Sequence, residues 1–267
     1  MFAAKLLLAT LLGLGISLSA TGAVVFSDDY ASRPNGQDIW GTLPTTTSAG
    51  VGTYVPLLGW PFSGKIDPFT PLGKVLKFDT AIGDANGLAF LPYAYAFGSD
   101  AVELTVRAAH RPRAEGQPEG FNNFAIGFSS GGIFTDHILV QSAQIQLNFP
   151  GVNISTLALP FASADNTFYE FVLVYDPTKA GIAGSQPYSL SINGVDLAIP
   201  VLATTIYTPL AGFDGVAFGG RFSNGITVRY LTNFSLETIE ATVPEPATIA
   251  LLGLGLAALG MARRRSQ

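Results

Sequence analysis

Between residues 24 and 245 the chain alternates apolar and polar positions with a period of two, and a helical period is nearly absent. Val102, Leu104 and Val106 alternate with Glu103, Thr105 and Arg107, and Tyr188, Leu190 and Ile192 alternate with Ser189 and Ser191. Asn193-Gly194 follows, then Val195, Leu197 and Ile199. Asn-Gly accepts the positive-φ conformations of a tight type I′ turn, so this segment predicts a hairpin. A second hairpin is expected at Asn224-Gly225, leading into Ile226, Val228 and Tyr230, with Phe234 and Leu236 beyond. Phe168–Val174 is a denser apolar run and predicts a strand buried on both faces. Phe124–Phe128, Ile133–Val140 and Ala143–Phe149 add three more strands. About ten to twelve strands at near ten-residue spacing predict two packed antiparallel sheets. Gly41–Gly52, rich in Gly, Thr and Pro, reads as a long surface loop within one undivided body.

The two ends break this pattern. Met1–Ala23 has Lys5, then an apolar stretch from Leu6 to Leu18, then Ser19, Ala20, Thr21, Gly22 and Ala23. That order predicts a cleaved secretory signal peptide, ending at Gly22 or at Ala23. The competing reading, an N-terminal anchor, suits a longer apolar stretch. At the other end Val243-Pro244-Glu245-Pro246-Ala247 precedes 16 uncharged residues, Ala247–Ala262, and then Arg263-Arg264-Arg265. The prolines hold the motif extended and accessible. As a helix the apolar run would span roughly 24 Å at about 1.5 Å per residue. It would cross a hydrocarbon core of about 30 Å if Arg263 snorkels and the bilayer thins. The arginines place the tail in the cytoplasm and the body outside. A buried terminal helix would show a polar face, and only Thr248 interrupts this run. The domain reading is therefore 1–23 signal peptide, 24–242 β-sandwich and 243–267 sorting signal.

The order of motif, apolar helix and Arg-rich tail (263–267) resembles the PEP-CTERM sorting signal. The resemblance implies a Gram-negative bacterium with an exosortase and an exopolysaccharide or biofilm programme. The implied partners are Sec-type export machinery, signal peptidase, exosortase and exopolysaccharide, with the C-terminal helix transiently in the inner membrane. The body resembles the concanavalin A-like lectin/glucanase jelly roll. The residues behind this are Val25–Tyr30, Asn123–Phe128, Phe171–Asp176 with Tyr188–Val195, and the closing Arg229–Ser235. The resemblance implies that the first and last strands lie side by side, which would bring Asp28 near Asn233.

Composition narrows the chemistry. The absence of cysteine excludes disulfides, thiolate metal sites and lipid attachment at a cysteine. Setting aside Lys5 and Arg263–Arg265 leaves 10 basic against 19 acidic side chains, a body balance of −9. That balance argues against nucleic acid as a partner and is compatible with neutral glycan or calcium. A glucanase of this fold carries carboxylates at alternate positions on one strand. Here the acids are scattered singly apart from Asp28-Asp29, whose side chains must point to opposite faces of a strand. His110, in the polar loop Ala109–Gly120, and His137, beside Asp136, are too few for a zinc site, and no Gly-x-Ser-x-Gly elbow is present. No catalytic residue is assigned and no cofactor is required. Calcium is the one candidate ion, with Asp28, Asp29 and Asn233 as ligands and strand-end capping as the alternative role. The related folds often close on Asp-Asn-Phe, where this chain has Thr232 in place of the Asp. Trp60 and Asn123 are the candidate sugar contacts, although most rings in such a chain are core. The expected function is a surface or matrix protein with a structural or glycan-binding role. The competing class is a diverged glycoside hydrolase or polysaccharide lyase.

Overall fold

Strands alternate along nearly the whole body. The structure, a computed structural model, describes residues 22–57, 63–69, 73–80, 87–110, 124–130, 133–141, 144–149, 155–161, 164, 167–200, 206–207, 210–220 and 227–240. The first strands are β1 (Ala23–Asp29), β2 (Thr46–Thr47), β3 (Val55–Leu57), β4 (Ser63–Phe69) and β5 (Gly73–Thr80). Next come β6 (Gly87–Ala96), β7 (Ala101–His110), β8 (Phe124–Ser130), β9 (Ile133–Val140), β10 (Gln144–Asn148) and β11 (Ser155–Ala158). The last are β12 (Thr167–Tyr175), β13 (Tyr188–Ile192), β14 (Val195–Leu197), β15 (Gly212–Gly220) and β16 (Thr227–Ile239). They form two antiparallel sheets. One has the order β14-β13-β12-β7-β16-β1-β2, with β5 also on β16 and β4 on β5; the other runs β11-β10-β9-β8-β15-β6-β3. Gly22–Ile239 make one compact unit.

The organising strand is β16, 13 residues long. It pairs with β7 along one edge and with β1 along the other. Beyond β1 the same edge is taken up by β5, through Thr227–Leu231. The first and last strands of the body thus lie side by side at the centre of the nine-stranded sheet. Phe26, Phe78, Phe218 and Phe234 pack between the sheets with Tyr30 and Tyr54, all fully buried. Phe218 and Phe234 have ring centroids 4.2 Å apart. Each such ring contributes about 2 kcal/mol by leaving water.

The Asn193-Gly194 hairpin is present, with φ of 50° and 75° at the two residues. Glu170 N donates to the Asn193 side chain at 2.8 Å, which ties the turn to β12. Other expectations change. The strands flanking Asn224-Gly225 belong to different sheets, β15 to one and β16 to the other, so no hairpin joins them. A positive-φ dipeptide marks a turn without specifying what the next strand pairs with; residues 224–225 themselves lie outside the described residues. β12 is buried on one face only, with Glu170 exposed, whereas β8 is buried on both faces from Phe124 to Ser129. The expected loop at 41–52 contains β2, paired with β1. His110 ends β7 and does not lie in a loop. Among the described residues no helix is long and apolar enough to cross a membrane. The expected helix 247–262, the sorting residues 243–247 and 263–267, and the leader up to residue 21 lie outside the described residues.

Candidate functional site

Charge gathers in two places, at the end of β1 and where β16 meets β7. The first is buried. Asp28, next to last in β1, turns inward and is 1% exposed. A 3-10 turn at Tyr30–Ser32 then returns Arg33 to it. Arg33 Nε donates to Asp28 Oδ1 at 2.9 Å and Nη2 to Oδ2 at 2.6 Å, a bidentate pair. Thr45 Oγ1 donates to Oδ1 at 2.8 Å and Tyr54 to Oδ2 at 2.9 Å. Tyr30 donates to the Tyr54 hydroxyl. Arg33 also donates to Thr42 Oγ1 at 3.0 Å and to the Leu43 carbonyl, while Lys74 donates to the Arg33 carbonyl at 2.7 Å. Burial lowers the affinity of Arg33 for its proton, but Asp28 outweighs this and the guanidinium stays charged. Burial, with Asp28 as a further cause, pushes both tyrosines well above their ordinary value. The cluster is a clasp that pins the segment after β1 across the sheet.

Asp29 faces the other way and is exposed; it caps Ala31 N at 3.1 Å. Its partner in register is Asn233, also exposed, while Asp28 stands opposite Phe234. Terminal-strand pairing is therefore present, and it places Asp29 rather than Asp28 beside Asn233. Of the three residues expected around calcium, Asp28 is engaged with Arg33, Thr45 and Tyr54 on the inner side. Among the described residues no group of three or more His, Asp and Glu side chains is placed to hold a metal ion. Trp60 and Asn123, the candidate sugar contacts, lie outside the described residues. Trp40 packs on Phe78, and Tyr93 stacks on Tyr95, both partly buried.

The second cluster lies on the outer face of the nine-stranded sheet. Glu237 of β16 stands directly opposite Glu103 of β7. One step along, Ser235 faces Thr105; two steps along, Asn233 faces Arg107, which faces Glu170 of β12. Burial, then Glu237, pushes the Glu103 carboxyl up, and Glu170 adds to this. Thr105 Oγ1 donates to Glu103 Oε1 at 3.4 Å and partly offsets the rise. Like charges directly opposite on neighbouring strands are destabilising. Sequence reading saw Glu103 and Glu237 as isolated acids. Their alternation marks each as outward-facing, but only the β7–β16 register makes them a pair.

A second buried carboxyl links the sheets. Asp136 of β9 accepts from Tyr188 of β13 at 2.6 Å and from Thr135 at 3.0 Å. Burial pushes it above its ordinary value, partly countered by those two bonds. The Tyr188 ring lies flat on Phe149, centroids 3.9 Å apart. His137, the next residue, is buried on the other side of the sheet beside Gly127. A methyl group on Gly127 would meet the Asp136 carbonyl at 2.0 Å, so only glycine fits there.

The end of the sequence carries a different signal. Residues 242–265 match the PEP-CTERM protein-sorting motif. That motif implies export, processing by an exosortase and sorting to the cell surface. No curated protein matches the chain. Among solved structures the body is similar to a protein of unknown function from Shewanella oneidensis, at 11% identity and TM-score 0.47, covering 92% of this chain and 97% of that one. It is also similar to domain 4 of an extracellular arabinanase from Geobacillus stearothermophilus, solved with arabinotriose, at 11% identity and TM-score 0.46 (85% and 97% covered). The binding domain of botulinum neurotoxin serotype G shares 8% identity at TM-score 0.47 over 80% of this chain. The chain spans only 47% of that domain.

Proposed function

We propose that this PEP-CTERM protein is a non-enzymatic component of the cell surface or exopolysaccharide matrix, structural or glycan-associated in role. The observation that carries the reading is the sorting motif at 242–265, which directs the body outward. The outer face of the nine-stranded sheet supports it. There Asn233, Ser235, Thr105, Ser189 and Ser191 offer hydroxyl and amide groups at the regular spacing of neighbouring strands. Hydroxyls and amides in such rows match the donors and acceptors of a neutral sugar, and the acidic body disfavours polyanions. The test is a glycan array probed with residues 22–242, with and without calcium. Retention on neutral glycans supports glycan association, and a calcium requirement would bring Asp29 and Asn233 into the site. Silence across neutral and acidic glycans would leave a scaffold role alone.

The facing pair Glu103 and Glu237 favours a second reading, hydrolysis of a glycosidic bond. Directly opposed strand residues hold their Cβ atoms about 5 Å apart, and retaining glycosidases hold their two carboxyl groups about 5–5.5 Å apart. Burial and the facing Glu237 push the Glu103 carboxyl up, as a general acid in such chemistry requires. Release of reducing sugar from a neutral polysaccharide, abolished by Glu103→Gln, would establish this reading in place of the first.

A further inference from the structure

The start of β1 bears on where the leader is cut. Ala23 opens the strand opposite Thr238, and the Thr238 hydroxyl donates to the Ala23 carbonyl at 3.3 Å. Val24 follows, exposed and opposite Glu237, which in turn faces Glu103. Among the described residues neither carboxylate has an ion-pair partner. Gly22 lies against the same spot. A methyl group built on it would stand 2.5 Å from the Thr238 carbonyl and 3.8 Å from Glu237 Oε2. An amino terminus created here would therefore open beside the carboxylate pair.

We propose that the leader is removed between Gly22 and Ala23, and that the ammonium group created on Ala23 is the counter-ion of Glu237 and Glu103. The inference rests on reading Met1–Ala23 as a signal peptide. Water adds across the Gly22–Ala23 amide; Gly22 leaves as a carboxylate, and the Ala23 amine takes the proton. Of the two small-x-small sites, cleavage after Ala23 would delete the carbonyl that Thr238 bonds and shorten the β1–β16 pairing by one residue. Cleavage after Gly22 keeps both. It also sets one positive charge where two negative ones face each other, on a face open enough for the charge to be felt but not fully screened. The tight fit of Gly22 against Thr238 requires that cutting precede docking of β1, because a peptidase needs the segment extended and free. Maturation and closure of the nine-stranded sheet are then ordered in time.

The test uses the full chain, produced in a Gram-negative cell that carries export and exosortase machinery. The N-terminus of the exported form is read by mass spectrometry. A start at Ala23 supports the assignment. A start at Val24 or another residue overturns it and leaves the leader reading intact, whereas an intact Met1 overturns both. The counter-ion role is read separately, from the rate of α-amine acylation at pH 8. A neighbouring carboxylate holds the amine protonated, so Glu237→Gln should speed acylation about threefold or more. Glu170→Gln, on the same face beside Arg107, should leave the rate unchanged. Equal rates in wild type and Glu237→Gln would refute the ion pair.

Discussion

Replacing Asp28 by asparagine isolates the buried clasp. The substitution keeps the shape and the acceptor for Tyr54, but it leaves the Arg33 guanidinium, 8% exposed, without its anion. Asp28 accepts four hydrogen bonds, two of them from Arg33, so little else nearby can take the charge. Breaking a buried ion pair from one side costs about 3–5 kcal/mol. That is a fifth or more of the stability of a typical domain, about 5–15 kcal/mol. Tyr54→Phe removes one hydroxyl donor to the same carboxylate and should cost about 1.5 kcal/mol. The double change Asp28→Leu with Arg33→Met removes both charges and should recover most of the loss. Urea unfolding of residues 22–242, followed by tryptophan fluorescence, measures all three, with an unchanged slope showing that only stability moved. An Asp28→Asn variant within about 1 kcal/mol of wild type would refute the clasp as a load on folding.

Asp136 supplies a pH signature. Folding raises its pKa above the ordinary 3.8, so its contribution is fullest below that value and is lost as pH rises through the folded value. The stability of wild type relative to Asp136→Asn should therefore fall as pH rises from about 4, which denaturant titrations at several pH values would show. Gly127→Ala pushes a methyl group into the Asp136 carbonyl and should cost about 3 kcal/mol, read as a lower urea midpoint. Thr232 occupies the bulge between Leu231 and Asn233, and its hydroxyl is buried without a hydrogen-bond partner among the described residues. Thr232→Val should raise stability by about 1 kcal/mol in the same assay. Replacing Pro244, Glu245 and Pro246 by alanine should hold the chain in the inner membrane, as cell fractionation would reveal, because the extended processing element is gone.

Alternation alone marked the strands at Val102–Arg107 and Tyr188–Ile192, and Asn193-Gly194 marked the tight turn from the second of these into β14, because side-chain period and positive φ are local properties. The sorting signal was equally legible, since rigid prolines, an apolar run and terminal cations act through their order along the chain. Asn224-Gly225 shows the boundary of such reading. A turn-forming dipeptide reports its own backbone preference and not which sheet the next strand joins. Leu43-Pro44-Thr45-Thr46 looked like ordinary loop, yet Thr45 binds Asp28 and the Leu43 carbonyl accepts from Arg33. Nothing local in that stretch points to a carboxylate 17 residues earlier. Glu103 and Glu237 are 134 positions apart in the chain and neighbours in space. Period and composition decide which residues face out and where the chain is sent. Which outward charges meet is decided by strand register, and register is fixed by packing both sheets around Phe26, Phe218 and Phe234 at once.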